Sequence, residues 1–114
     1  MRVPILRHAI NNACYIQNKK EPYDAVKWFM DMNKNHLQSE LINQDVLLLG
    51  GANDAFQPPV LVEKQKKALV NARSVETRTF TKDEHADQHC QIGNMKLPLT
   101  TIVEWLNKKS QTLN

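Results

Sequence analysis

The sequence predicts an α/β fold, with a helical N-terminal part over residues 1–42 and a β–α–β–loop–α unit over residues 43–114 built on a short parallel sheet. Three observations predict it. Up to residue 42, apolar residues recur at helical spacing, as in Leu6, Ala9, Ile10 and Ala13, with no alternating or continuously apolar run among them. Beyond Asn43-Gln44-Asp45 stands the densest apolar run of the chain, Val46-Leu47-Leu48-Leu49, too short for a helix and stopped by Gly50-Gly51. A second strand-like segment, residues 74–81, follows after one intervening helical pattern, and strand–helix–strand is the order of a right-handed parallel crossover.

Each element has its own warrant. Pro4 suits the first turn of a helix, because its fixed φ is helical and its missing N–H has no partner there anyway. Asn18-Lys19-Lys20-Glu21-Pro22 interrupts. A second helix is expected from about Tyr23, with Val26, Phe29 and Met30 on one face and Trp28 beside it, and a third, shorter one over residues 36–42. The unalternating Val46-Leu47-Leu48-Leu49 suits a parallel strand covered on both faces. Pro58-Pro59 opens a helix whose thin apolar stripe, Leu61, Ala68 and Leu69, ends near Asn71-Ala72. Residues 74–81 are rich in β-branched and aromatic side chains with partial alternation. A polar loop runs from 82 to about 96, and Pro98 starts a last helix with Leu99, Ile102, Val103 and Leu106 at core spacing, plus Trp105. Two parallel strands need neighbours beside them and helices over them, so the sheet is expected to be unfinished.

Composition bounds the function classes. A chain of 114 residues, 41% hydrophobic and 24% charged, has room for a small globular domain with a modest core. Fifteen Lys and Arg against twelve Asp and Glu leave a net charge of only +3, spread along the chain, which argues against nucleic acid as partner. Lys64, Lys66 and Lys67 read as a solvated helix face. No apolar run approaches the ~18 residues of a membrane span, and the first residues lack the apolar core of a secretory signal. Cys14 and Cys90 form no CxxC pair, so free thiols in a reducing, cytoplasmic setting are expected. Repeats and low-complexity segments are absent.

The chemistry is expected at one rim. In open parallel sheets functional groups gather past the C-terminal ends of strands. Asp54 follows the first strand, and His85 and His89 follow the second. A carboxylate meeting an imidazole there can hold it in one tautomer and stabilise it once protonated.

Asp45-Val46-Leu47-Leu48-Leu49-Gly50-Gly51-Ala52-Asn53-Asp54, followed by Pro58-Pro59, resembles the strand and acid turn of α/β-hydrolase-fold serine hydrolases of the acylaminoacyl-peptidase-like and esterase-like kind. Residues 80–94, with Ala86-Asp87-Gln88-His89-Cys90-Gln91 before Gly93-Asn94, resemble that family's histidine loop, and the stretch from 97 to 106 resembles its closing helix. The resemblance covers roughly residues 43–107 and implies a partial α/β-hydrolase fold. It implies Asp54 as triad acid and His89 as triad histidine, with His85 a bystander where such enzymes often carry glycine. It also implies that no metal or organic cofactor is needed, and that the helices of residues 1–42 are a remnant of a cap or lid.

The departure from the family is the nucleophile. None of the three serines, Ser39, Ser74 and Ser110, lies in the Gly-x-Ser-x-Gly turn that exposes an attacking hydroxyl, and the oxyanion-hole segment has no counterpart. The expectation is therefore a C-terminal hydrolase fragment, inert alone. Its expected partners are the missing N-terminal part, a small ester, amide or peptide substrate in the complete enzyme, and a second copy in a homodimer, with neither nucleic acid nor membrane. The competing reading is a non-enzymatic α/β module acting by self-association or partner binding. Around the site, Cys90 is expected as a buried structural thiol pointing away from His89, Gly93-Asn94 as a tight turn using left-handed backbone, and the cluster of His85, Asp87, His89 and Cys90 is not expected to hold zinc. Trp28 and Trp105 are expected in core or interface.

Overall fold

The computed structural model describes residues 4–33 and 35–111. They fall into two compact units, one ending at Gln38 and the other beginning at Ser39.

The first unit is a pair of helices, α1 (Pro4–Ile16) and α2 (Pro22–Asp31). Each starts on a proline, which cannot accept a place deeper in a helix but fits its first turn. Between them Asn18 takes a left-handed conformation, φ 51°, which its short polar side chain tolerates. The buried residues here are the small ones, Ala13 and Ala25. Val26, Phe29 and Met30, expected together on one face, are exposed, as is Trp28, expected in core or interface, whose ring meets Phe29 edge-on at 5.3 Å between centroids. Residues 36–42 do not form the expected helix. Gln38 is left-handed (φ 49°), which breaks any helical ladder, and only a single 3-10 turn, Ser39–Leu41, follows it.

The second unit holds the sheet. β1 (Asp45–Gly51) and β2 (Ser74–Phe80) pair in parallel, in register from Asp45 opposite Ser74 to Gly51 opposite Phe80. They are joined by α3 (Pro59–Ala68), and the chain continues to α4 (Lys96–Gln111). Side chains alternate across a strand, so the two helices can be placed on opposite faces. The side-chain direction of Gly50 meets Val62 of α3. Glu76, in register with Leu47 and so on the other face, accepts the indole N–H of Trp105 at 3.1 Å and pairs with Lys109 at 2.9 Å, both from α4. Asp45, at the same end, takes hydrogen bonds from Arg73 and Ser74, and this ring of ionic contacts closes the N-terminal edge of the sheet.

Several expectations are corrected here. Gly50 and Gly51 end β1 from within it rather than stopping it from outside. Val46-Leu47-Leu48-Leu49 is half-buried, not sealed on both faces, because two strands and two helices are too few to enclose it. Of the stripe on α3, Leu69 is buried just past the helix, whereas Leu61 and Ala68 are exposed. α4 begins two residues before Pro98, which sits buried in its first turn, and Leu99, Val103 and Leu106 point to solvent. Phe80 is the largest fully buried side chain. The architecture is mixed α/β with a two-stranded parallel sheet. Among the described residues, no helix is long and apolar enough to cross a membrane.

Candidate functional site

The C-terminal ends of β1 and β2 carry the site. Past β1 the chain is tied down residue by residue. Ala52 N–H donates to Phe80 O at 2.9 Å, Asn53 N–H to Asp87 O at 2.9 Å, and Asp54 N–H to Gly51 O at 3.3 Å. Asp54 then folds the following turn around its own side chain, its Oδ1 accepting the backbone N–H groups of Phe56 and Gln57, both at 2.8 Å. Aspartate is suited to this because its short carboxylate reaches amides two and three residues ahead. The same two donors fix the carboxylate's orientation, and its side chain is only 4% exposed.

Past β2 the loop is shaped by two single-turn 3-10 helices, Lys82–Glu84 and His89–Gln91. In the first, Glu84 accepts the Thr81 N–H at 2.9 Å and its hydroxyl at 3.1 Å, and pairs with Arg78. Ala86 and Asp87 are buried beneath the turn that follows. Gly51 explains how the loop comes so close to β1. A Cβ there would lie 2.3 Å from Asp87 O, 2.7 Å from its carbonyl carbon and 2.9 Å from Gln88 O, so only glycine lets the two backbones touch.

This packing delivers His89 to Asp54. Nδ1 of His89 lies 3.0 Å from Asp54 Oδ2 and 3.1 Å from Oδ1. A carboxylate only accepts, so Nδ1 carries the proton and, in the neutral ring, Nε2 keeps its lone pair. The His89 side chain is 41% exposed, and the Phe56 ring flanks it at 4.9 Å between centroids, tilted by 54°. Burial pushes the Asp54 carboxyl up, but the Gln57 amide, His89 and the Phe56 amide outweigh it and hold it below the ordinary aspartate range. The pair is therefore an ionised, oriented acid behind a partly exposed imidazole, an arrangement able to accept a proton at Nε2 and return it.

His85, the other candidate histidine, is elsewhere. It is exposed and left-handed (φ 55°), and its carbonyl lies where a Cβ on Gly93 would be, at 2.2 Å. Gly93 is thus needed for close approach and not for left-handed backbone. The expected tight turn is present, Asn94 N–H donating to Gln91 O at 3.0 Å, but the left-handed residues of this loop are His85, Cys90 (φ 54°) and Gln91 (φ 52°), not Gly93 or Asn94. That tight winding also overturns the buried thiol. On an extended segment Cys90 would alternate inward, but in a 3-10 turn with left-handed backbone its side chain is exposed. None of the three serines meets His89. Ser39 accepts from Gln65, Ser74 donates to Asp45, and Ser110 donates to Asn107 O. Among the described residues no three His, Cys, Asp or Glu side chains gather as a metal site.

Sequence reasoning missed four contributors. Phe56 gave no signal, being an exposed aromatic in a turn. The sequence marks Asn53 only as part of the acid turn, and Asp87 only as part of the histidine loop and of the cluster not expected to hold zinc, yet Asn53 Nδ2 donates to Asp87 Oδ2 at 2.8 Å, and Gln88 donates to the same oxygen at 3.0 Å. Gly51 was seen only as a strand stop. Compared with family models, curated proteins and solved structures, the chain matches none.

Proposed function

We propose that this chain contributes the acid and the histidine of a Ser-His-Asp site that hydrolyses an ester, amide or peptide bond through an acyl-enzyme, as in the α/β-hydrolases its sequence resembles, with the nucleophilic serine on a segment outside this sequence. The observation that carries the proposal is the contact of His89 Nδ1 with the buried, amide-pinned Asp54 carboxylate at 3.0 Å. In the assembled site the serine hydroxyl approaches Nε2 of His89, which takes its proton as the oxygen attacks the acyl carbon. The tetrahedral intermediate collapses as His89 returns that proton to the leaving group, and water repeats the cycle to release the acid. Asp54 stays ionised throughout, which suits a group held below the ordinary carboxylate range.

The open sheet agrees with this reading. The two-stranded sheet, the half-buried β1 and an α4 whose Leu99, Val103 and Leu106 face solvent leave surface that further strands and helices of a larger sheet would cover. The test is complementation. The chain alone is expected to be inert towards a chromogenic ester and a fluorophosphonate probe. Co-expressed with an N-terminal portion that carries a Gly-x-Ser-x-Gly elbow, it is expected to hydrolyse the ester and label, and His89→Ala to abolish both. Equal activity of the complemented protein without His89 overturns the proposal.

A further inference from the structure

We infer that Asn53 and Asp87 form a two-point latch that positions the His89 ring on Asp54. Its use in catalysis rests on the hydrolase reading above, whereas its geometry does not.

Asp54 and His89 stand on separate loops and are 35 residues apart in the chain. Their own contact is a single ring nitrogen on a carboxylate, with the ring 41% exposed, so that contact alone leaves the imidazole free to pivot about Nδ1. Apart from the Phe56 ring that flanks it, orientation must come from the backbone on either side. Asn53 immediately precedes Asp54, and Asp87 precedes His89 by two residues. These two residues touch twice, through Asn53 N–H to Asp87 O at 2.9 Å and through Asn53 Nδ2 to Asp87 Oδ2 at 2.8 Å. One hydrogen bond sets a separation. Two between the same residues, one main-chain and one side-chain, also set the twist of one loop against the other.

The surroundings take up the remaining slack. Gly51 packs without a gap against the Asp87 carbonyl, and Ala52 N–H is tied to Phe80 O. Asp87 is buried, and Gln88 donates to the same Oδ2, so the acceptor cannot swing away from Asn53. The Asn53 hydrogen bond, aided by Gln88 against the effect of burial, holds the Asp87 carboxyl below the ordinary aspartate range, which keeps the bond charge-assisted and short. Neither residue contacts the His89 ring itself, so both are positioning residues.

The readout is the tautomer of His89 in the chain as it stands, taken from long-range 1H–15N correlations at a pH above the imidazole titration. Wild type is expected to hold His89 mainly as the Nδ1–H form imposed by Asp54. Asn53→Ala keeps the exposed position and the main-chain bond but removes the second point. The Nδ1–H share is then expected to fall at least twofold, towards that of the exposed His85, while the backbone amide spectrum elsewhere is unchanged. The reciprocal swap, Asn53→Asp with Asp87→Asn, restores a carboxamide-to-carboxylate bond in the opposite direction and is expected to recover the wild-type tautomer. Should the alanine variant not fold, Asn53→Ser, too short to reach Oδ2, is read in the same way. A folded Asn53→Ala or Asn53→Ser protein with an unchanged tautomer overturns the latch and leaves the Asp54–His89 pair standing. A wild-type His89 that is not the Nδ1–H form removes that pair, and the hydrolase reading with it.

Discussion

Replacing Gly51 with alanine tests whether the close approach of two backbones builds the site. The new Cβ would start 2.3 Å from Asp87 O, and contacts under 3.0 Å are essentially never tolerated, so the loop must retreat by at least about 0.7 Å. The obstacles are main-chain atoms, Asp87 C and O and Gln88 O, which cannot rotate aside as a side chain would. If the Asp87 carbonyl moves directly away, its 2.9 Å bond from Asn53 N–H opens to about 3.6 Å, outside hydrogen-bonding range. Overpacking of this kind costs ~1–3 kcal/mol, and loss of the bond adds ~0.5–1.5 kcal/mol, giving about 1.5–4.5 kcal/mol for a domain whose total stability is of order 5–15 kcal/mol. His89 is two residues further on, so its 3.0 Å contact with Asp54 is expected to break as well. Urea unfolding reads the first effect and the His89 tautomer the second. In a complemented enzyme, a misplacement approaching 1 Å is expected to cost about 10²-fold in turnover. Gly50→Ala is the milder comparison, because its Cβ would meet one side-chain atom, Val62 Cγ2 at 2.9 Å, rather than three main-chain atoms. A Gly51→Ala protein as stable as Gly50→Ala, with its His89 tautomer intact, refutes the reasoning.

Two further outcomes follow from the charges and the loop winding. Asp45, Asp54, Glu76, Glu84 and Asp87 are all held below their ordinary ranges, so folding favours their ionised forms. Their contribution is present in full above the ordinary values of 3.8 and 4.5 and is lost as pH falls through them towards the lower folded-state values. Urea midpoints are therefore expected to be flat from about pH 7 to 5 and to drop steeply below pH 4; a midpoint unchanged at pH 3 contradicts the paired carboxylates. Cys90 is exposed and Cys14 only partly so, and native protein is expected to react with a chromogenic thiol reagent first at Cys90, as read by peptide mapping. Faster labelling of Cys14 contradicts an outward-facing thiol at Cys90.

What was legible in the sequence is what local chemistry decides. An apolar run closed by two glycines, an aspartate in the next turn and a histidine after a β-branched run are each readable alone. Parallel pairing then sends both loops to one rim, so the meeting of Asp54 with His89 could be expected from strand order. Burial was less legible. Helical spacing names the face that would be covered if something covered it, and Leu99, Val103 and Leu106 satisfy the spacing while facing solvent. Residues that act through another segment left no local mark. Nothing around Gly51 announces that the backbone of Asp87 passes 2.3 Å from its missing Cβ, and Asn53 looks like any turn asparagine until Asp87 stands opposite it.

That division bears on how the site holds together. The two side chains with chemical signatures, Asp54 and His89, supply only one contact between the loops, and the residues without signatures supply the rest. Asp54 orients itself, because its carboxylate is pinned by the amides of its own turn. His89 cannot do the same, since its ring has no other hydrogen bond among the described residues. The acid is therefore set by local structure and survives changes in the second loop. The histidine is set by tertiary contact and is the first element lost when Gly51, Asn53 or Asp87 is altered. Mutations at these three positions should disturb His89 while leaving the Asp54 turn intact, an asymmetry that a site assembled by mutual attraction of acid and base alone would not show.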